Sequence, residues 1–360
     1  MSSFQDLLDA GQSVWLDFIR RDMLDNGELE ALIEERIRGL TSNPSIFQKA
    51  IAGSDLYDVQ IATMPAAKPA DVFEALAVAD IRSAADLLAP VYVASQSADG
   101  YVSLEVSPHL AHDTDGTVAD AQRLWGRVDR PNLMIKVPAN PAGVPAVEEL
   151  IARGINVNAT LMFSLDDYEA VAQAYVRGVG RASDPGRIAS VASFFVSRVD
   201  TKTDASLEKV GTNEALALRG TIAVANAKLA YRRYQEIFDG PPFADGRGRG
   251  ARPQRTLWAS TSTKNPEFSD VMYVDDLVGP NTVNTMPPAT IEAFRDHGRV
   301  DPAALTTGVD EAARRIDSLG EMGIDFSAIT EELQVEGVAA FADSYDDLLR
   351  AIAEKQATLI

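Results

Sequence analysis

Eight short apolar runs, each separated from the next by a longer amphipathic stretch, constrain this chain more than any other feature. The runs lie near Val14–Ile19, Gly39–Ser42, Val102–Val106, Leu133–Val137, Asn156–Leu161, Ala189–Val196, Thr256–Ser260 and Thr282–Thr285. Strands buried on both faces read as near-continuous apolar runs, the pattern of a parallel sheet covered by helices. Between most of them lies helical spacing. Leu29, Leu32, Ile33 and Ile37 form one such pattern. Leu165, Val171, Ala172, Tyr175 and Val176 form another, after Ser164-Leu165-Asp166-Asp167, which has the form of a capping box. A further long helix is expected over about Asn213–Ile237.

Strands alternating with helices in this number predict an α/β fold, a closed parallel (β/α)8 TIM barrel. An open doubly wound sheet is the structural alternative, weakened because no Gly-x-Gly-x-x-Gly follows any strand. The expected organisation is a single barrel domain over residues 1–360, with helical patterns over about 303–360 as a C-terminal cover. Gly240–Pro253, with Gly246-Arg247-Gly248-Arg249-Gly250 inside it, reads as an exposed, solvated connection. Phosphate contact by its arginines is the other reading.

The chain has no cysteine, so a disulfide framework, an iron–sulfur cluster and a cysteine-based zinc site are excluded. Its formal charge of −20 argues against nucleic acid or anionic membrane as a partner. No apolar stretch reaches the ~18 residues needed to span a bilayer. Met1-Ser2-Ser3-Phe4-Gln5-Asp6 lacks a basic segment leading into an apolar run, so no secretory signal is read and a cytoplasmic location is expected. An anionic substrate would need locally concentrated positive charge.

Lys136 is one of eight lysines and sits inside Leu133-Met134-Ile135-Lys136-Val137-Pro138. A lysine there is buried and functional, or it reaches water or a structural partner at the strand end. Burial disfavours the ammonium by up to ~3–5 pKa units, and a neutral amine is what Schiff-base chemistry on a ketone requires. In Asn156-Val157-Asn158-Ala159-Thr160-Leu161 the polar positions alternate, which puts Asn156, Asn158 and Thr160 on one face. In a barrel that face points inward, where uncharged polar groups suit sugar hydroxyls and an ordered water. Asp17 and Glu105 are carboxylates inside apolar runs. Each alone fits a structural ion pair, but together with an intrastrand lysine they are functional candidates.

Asn43-Pro44 reads as a helix N-cap and first helical residue, leaving Thr41 able to face the site. Ser193-Phe194-Phe195-Val196-Ser197-Arg198 ends the sixth run with an arginine, at the barrel end where phosphate sites form. Ser260 to Lys264 offers hydroxyls and one ammonium beside it. Either segment alone also fits a polar rim. His109 and His112 stand near Asp113 and Asp115, which admits a metal site, but a solvated loop is the preferred reading and no His-Glu-x-x-His is present.

Taken in order, Gly39-Leu40-Thr41-Ser42-Asn43-Pro44-Ser45, Val102–Val106, Leu133–Pro138, Gly154–Leu161, Ser193–Arg198 and Trp258-Ala259-Ser260 resemble transaldolase. That resemblance implies a cofactor-free, metal-free class I aldolase barrel of the pentose phosphate pathway. Such an enzyme interconverts sedoheptulose 7-phosphate and glyceraldehyde 3-phosphate with erythrose 4-phosphate and fructose 6-phosphate. It implies Lys136 as the Schiff-base lysine and Asp17 as the acid/base at the C4 hydroxyl. Glu105 and Thr160 would hold the water that relays protons. Asn43 and Asn158 would orient the dihydroxyacetone hydroxyls with Thr41 nearby. Ser193 would add a hydroxyl contact, Phe195 an apolar wall, and Arg198 and Ser260 the phosphate ligands. The family pattern has an arginine two residues after the matching serine. Here that position is Ser262, and Lys264 stands in as the expected charge. Sugar phosphates are the expected partners, and a monomer or homodimer the expected state. The competing readings are a fructose 6-phosphate-type aldolase and a catalytically inactive barrel that binds ligands. Related aldolases resemble this site with tyrosine at Phe195 and glutamine at Glu105, so the residues present favour the transferase.

Overall fold

Leu133–Pro138 is buried at every position, as are Val157–Met162 and Ser190–Phe195, the burial of strands that have helices outside and side chains packed inside. The computed structural model describes residues 3–359. Met1, Ser2 and Ile360, which the expected span includes, lie outside them. All eight expected strands form: β1 Gln12–Leu16, β2 Ile37–Leu40, β3 Tyr101–Glu105, β4 Leu133–Pro138, β5 Val157–Met162, β6 Ser190–Phe195, β7 Arg255–Ala259 and β8 Thr282–Met286. They pair in parallel in chain order, and β8 pairs with β1 from Gln12↔Thr282 to Leu16↔Met286, closing the barrel. The chain is therefore a closed (β/α)8 barrel with additional C-terminal helices.

Local chemistry explains the helix starts nearest the site. Ser164 caps helix Leu165–Arg181, its hydroxyl accepting from Asp167 N at 3.0 Å while Asp167 accepts from Ser164 N at 3.4 Å. Asn43 caps helix Pro44–Ala52, its side chain accepting from Ile46 N at 2.9 Å, with Pro44 at the first helical position. The N-terminal pole is closed by helix Phe4–Asp9, whose Phe4 stacks on Phe294 at 5.5 Å. Inside that pole Trp15 donates to Asp99 at 2.9 Å and lies over Gly39, where any side chain would come within 2.6 Å of the indole.

Four expectations change. β1 stops at Leu16 and β2 at Leu40, so Asp17 and Thr41 stand just past strand ends. Ile37 belongs to β2 and not to a helix: helix Glu28–Glu34 ends, and Arg36 takes φ 85, a left-handed turn that no helix continues through. The long helix over 213–237 is broken into Asn213–Leu216 and Ile222–Tyr234. Gly220 between them has φ 69, and a side chain there would strike the Phe268 ring at 2.7 Å. Gly240–Pro253 is largely exposed, as expected, but it is not a plain loop: it contains helix Ala244–Gly248. Its Arg249 donates to the carbonyls of Val179, Gly180 and Ala182 at 3.2, 2.9 and 2.6 Å, satisfying the end of helix Leu165–Arg181. Arg247 and Arg252 bond the carbonyls of Phe238 and Gln96. The segment leads into the start of β7, the pole opposite the site, so the solvated reading holds for most of its length and the phosphate reading does not.

Beyond β8, helix Pro288–His297 completes the outer ring, and helix Val309–Glu321 packs Ala312 on Ala225 and Leu229. The 33-residue helix Phe326–Thr358 then crosses the C-terminal mouth. It is tied along its length: Glu336 to Lys202 at 2.6 Å, Ser344 to Ser45 at 2.7 Å, Asp346 to His109 at 2.8 Å, Gln356 to the Met64 carbonyl at 2.7 Å. Among the described residues no helix is long and apolar enough to cross a membrane.

Candidate active site

Parallel pairing decides which residues meet at the mouth. The register aligns Glu105 of β3 with Lys136 of β4, and Lys136 with Asn158 of β5. Lys136 is 5 % exposed, donates to the Ser42 carbonyl at 3.2 Å and lies 5.9 Å from the ring centre of Phe341. Asp17, one residue past β1, is held by its backbone N–H to the Met286 carbonyl at 2.8 Å. Its carboxylate accepts from Thr41 at 2.7 Å, and Thr41 shares a second 2.7 Å bond with Thr285. Burial pushes the Asp17 carboxyl up, with Lys136 pulling it back.

Asn158 and Thr160 are fully buried beneath the cleft. Asn158 donates to the Ser103 hydroxyl at 3.0 Å and accepts from Ser193 at 2.6 Å, so its amide is oriented from both sides. Asn156 does not join them. It lies before β5, donating to the Pro131 and Leu133 carbonyls at 3.0 Å and accepting from Ala189 N at 2.9 Å, and so pins strands at the far end. Both carboxylate oxygens of Glu105 and the Thr160 hydroxyl are buried with no protein partner. Burial raises the Glu105 carboxyl to about 7, Lys136 opposing and the Asp17 charge adding to it. A carboxyl poised there can give and take a proton near neutrality.

A cleft of about 470 Å³ opens above these groups, lined by Asp17, Thr41, Asn43, Lys136, Ser193, Phe195, Arg198, Ser260 and Lys264 among others. Nine of the twelve expected site residues thus share one cavity wall, with Asn158 and Thr160 below it and Glu105 behind. Phe195 packs on Phe163 at 5.2 Å and carries the Arg198 guanidinium 5.3 Å from its ring centre. Arg198 is in the first turn of helix Ser197–Val210 rather than in β6, at a helix end that favours anions. Ser260, at φ 57, shares a 2.9 Å bond with Ser197 beside it. Lys264 is exposed at the rim, bonded to Ser262 at 3.3 Å, and burial together with the charges of Arg198 and Lys49 lowers its pKa.

Lys49, Thr285, Ser103 and Phe341 escaped the sequence reading. Lys49 lies in the last turn of helix Pro44–Ala52 and lines the cleft; like Arg198 and Lys264, it forms no salt bridge among the described residues. It is the sixth residue of the helix that Asn43 caps, and that proximity in sequence was the available signal. Thr285 is one of two threonines in the eighth run, and Ser103 is the single hydroxyl of the third. Phe341 lies some 200 residues from Lys136 in the chain and carries no local signal. His109 reaches the Asp346 carboxylate instead of a metal constellation, and among the described residues no group of three or more His, Cys, Asp or Glu side chains could hold a metal ion.

Comparison with known proteins agrees with this geometry. The transaldolase/fructose-6-phosphate aldolase family model matches residues 14–352. A transaldolase of Frankia alni is 50% identical over 358 residues, covering 97% of this chain and 96% of its own. One of Thiobacillus denitrificans is 50% identical over 360 residues, covering 98% and 100%, and one of Mycolicibacterium smegmatis is 50% identical over 350 residues, covering 95% and 94%. On the full-length match, the barrel and the lysine–carboxyl cluster at its mouth, the chain belongs to the transaldolase/fructose-6-phosphate aldolase family.

Proposed function

We propose that this protein is a transaldolase that moves a dihydroxyacetone unit between sugar phosphates through an imine on Lys136. The observation that carries the reading is Lys136 itself, buried at the cleft floor with Glu105 beside it in register and Asp17 in the same wall. The amine adds to the ketose carbonyl carbon, and Glu105 gives its proton to the departing hydroxyl, which leaves as water. Asp17 then takes the proton of the C4 hydroxyl as the C3–C4 bond breaks. The aldose phosphate departs, and the electron pair enters the protonated imine to give an enamine. Attack of the enamine on an acceptor aldehyde and hydrolysis reverse these steps. Thr41 orients Asp17; Asn43, Asn158 and Ser193 serve the sugar hydroxyls. Arg198 and Ser260 receive the phosphate, with Lys264 at the rim taking the place of the missing arginine and Lys49 beside it.

Phe195 favours transfer over release, because an apolar ring beside the enamine offers no proton to quench it. Little dihydroxyacetone is therefore expected from fructose 6-phosphate when no acceptor is present. Steady release would favour the aldolase reading.

The test is Lys136→Arg with borohydride. A guanidinium cannot form the imine, so turnover and the reducible fructose 6-phosphate adduct should both disappear while the circular dichroism spectrum stays that of the wild type. A reduced adduct on Lys49 or Lys264 instead would overturn the assignment, and no adduct in the wild type would leave a binding protein.

A further inference from the structure

A second cavity, of about 400 Å³, lies behind β3 between helices Pro44–Ala52, Pro69–Ala94 and Thr114–Val128. Its inner end is Glu105. Its outer end is an ion-pair cluster in which Arg123 and Arg127 both hold Glu74, and Arg123 also holds Asp120 at 2.6 Å. Both arginine side chains are about half exposed, so the cavity opens to solvent there. Asp120, which accepts from Ser107 N at 3.1 Å, and Tyr345 continue a polar line inward along a wall of Phe47, Leu104 and Leu124.

Glu105 lines this cavity, whereas Lys136, Asp17 and Ser193 line the substrate cleft, and Asn43 lines both. The partition between the two spaces therefore runs through the proposed proton carrier. The two unpartnered Glu105 oxygens supply polar partners a water needs at that partition. The chemistry demands traffic at this point. Imine formation breaks the carbinolamine C–O bond and expels one water, and hydrolysis takes one water in. A ketose phosphate bonded to Lys136 occupies the floor of the cleft at both moments.

We infer that the second cavity is the water-exchange site of Glu105, through which the expelled and the incoming water pass between the imine and solvent while the cleft is occupied. The inference rests on the imine reading of Lys136. It gives Glu105 a supply of water that the sugar cannot block, and it separates the wet side of the reaction from the cleft in which the enamine must stay dry.

The experiment uses fructose 6-phosphate in water enriched in oxygen-18, without acceptor, and measures label in the carbonyl oxygen of the recovered sugar. Two variants obstruct the cavity away from the catalytic groups. Ala77→Leu fills its wall from helix Pro69–Ala94, and Ala70→Trp covers its mouth from the partly exposed first turn of that helix. Transfer can reuse the water expelled on imine formation, whereas label uptake requires that water to exchange with solvent, so label uptake divided by the rate of dihydroxyacetone transfer to erythrose 4-phosphate should fall by about threefold or more in at least one stably folded variant. Uptake and transfer that fall together, or uptake unchanged in both, would overturn the route while leaving the imine intact. Borohydride trapping without any label uptake in the wild type would also overturn it. Absence of both would instead remove the imine reading on which it stands.

Discussion

Glu105 carries the pH signature of this site. Its carboxyl sits at about 7 because burial disfavours the charge, and the Asp17 carboxylate adds to the rise. In the unfolded chain it would return to its ordinary value of 4.5. The folded protein thus holds a proton that the unfolded chain releases. The stability linked to this group is fully present below about 4.5 and is lost as pH rises through about 7. Glu105→Gln removes that dependence. The variant should gain on the wild type between about pH 5 and pH 8, by at most ~3 kcal/mol, as read by urea denaturation at the two pH values. A difference that does not change with pH would mean that the folded protein does not hold this proton. The same variant should lose most of its turnover, since the amide cannot pass a proton to the leaving hydroxyl.

At the scale of elements, the end of β5 is strained and the C-terminal helix restrains it. The β5–β6 register slips between Ala159 and Met162, and Leu161 takes φ 62, a left-handed conformation that costs a non-glycine residue roughly 1–2 kcal/mol. Thr160 lies within this irregularity, which sets where its hydroxyl points. Gln334 of helix Phe326–Thr358 donates to the Leu161 carbonyl at 3.4 Å and to the Ala139 carbonyl at 3.3 Å, holding the ends of β5 and β4 together. Gln334→Ala should therefore cost about 1–2 kcal/mol of stability. It should also lower kcat more than it raises KM, because Thr160 shifts while the phosphate contacts stay in place. Lost stability with unchanged kcat would mean that the strand end keeps its shape without the helix.

At the scale of the molecule, a chain of net charge −20 gathers Lys49, Lys136, Arg198 and Lys264 around one cleft. Among the described residues none of the four has a salt-bridge partner, so the charge of Lys49, Arg198 and Lys264 is available to an anionic substrate beside the Lys136 amine. Lys264→Ala should raise KM for phosphorylated sugars roughly tenfold or more, the scale of a charged hydrogen bond, and affect unphosphorylated dihydroxyacetone donors far less. Lys49→Ala should act in the same direction. Added salt should raise KM for the phosphorylated sugars in the wild type and less in Lys264→Ala, since an exposed ammonium is readily screened. Equal effects on both donor types would place these lysines outside the phosphate site.

Local sequence determined the barrel and the candidate residues at its mouth. Each strand announces itself through an apolar run that only two-sided burial explains, and a lysine or carboxylate inside such a run stands out because burying its charge is expensive. Lys136, Asp17 and Glu105 stood out for that reason, and Thr160 through the polar alternation of its run. So did the caps at Asn43 and Ser164, whose partners lie three residues away. What the sequence could not carry was contact between distant segments. Phe341 over Lys136, Gln334 on the β5 bulge and Arg249 on the end of helix Leu165–Arg181 join residues 67 to 205 positions apart. Only the closed barrel decides these meetings, because closure and the path of the last helix across the mouth fix which side chains face one another. The division of the site into a substrate cleft and a separate cavity behind Glu105 is likewise a product of packing between helices, and no short-range pattern encodes it.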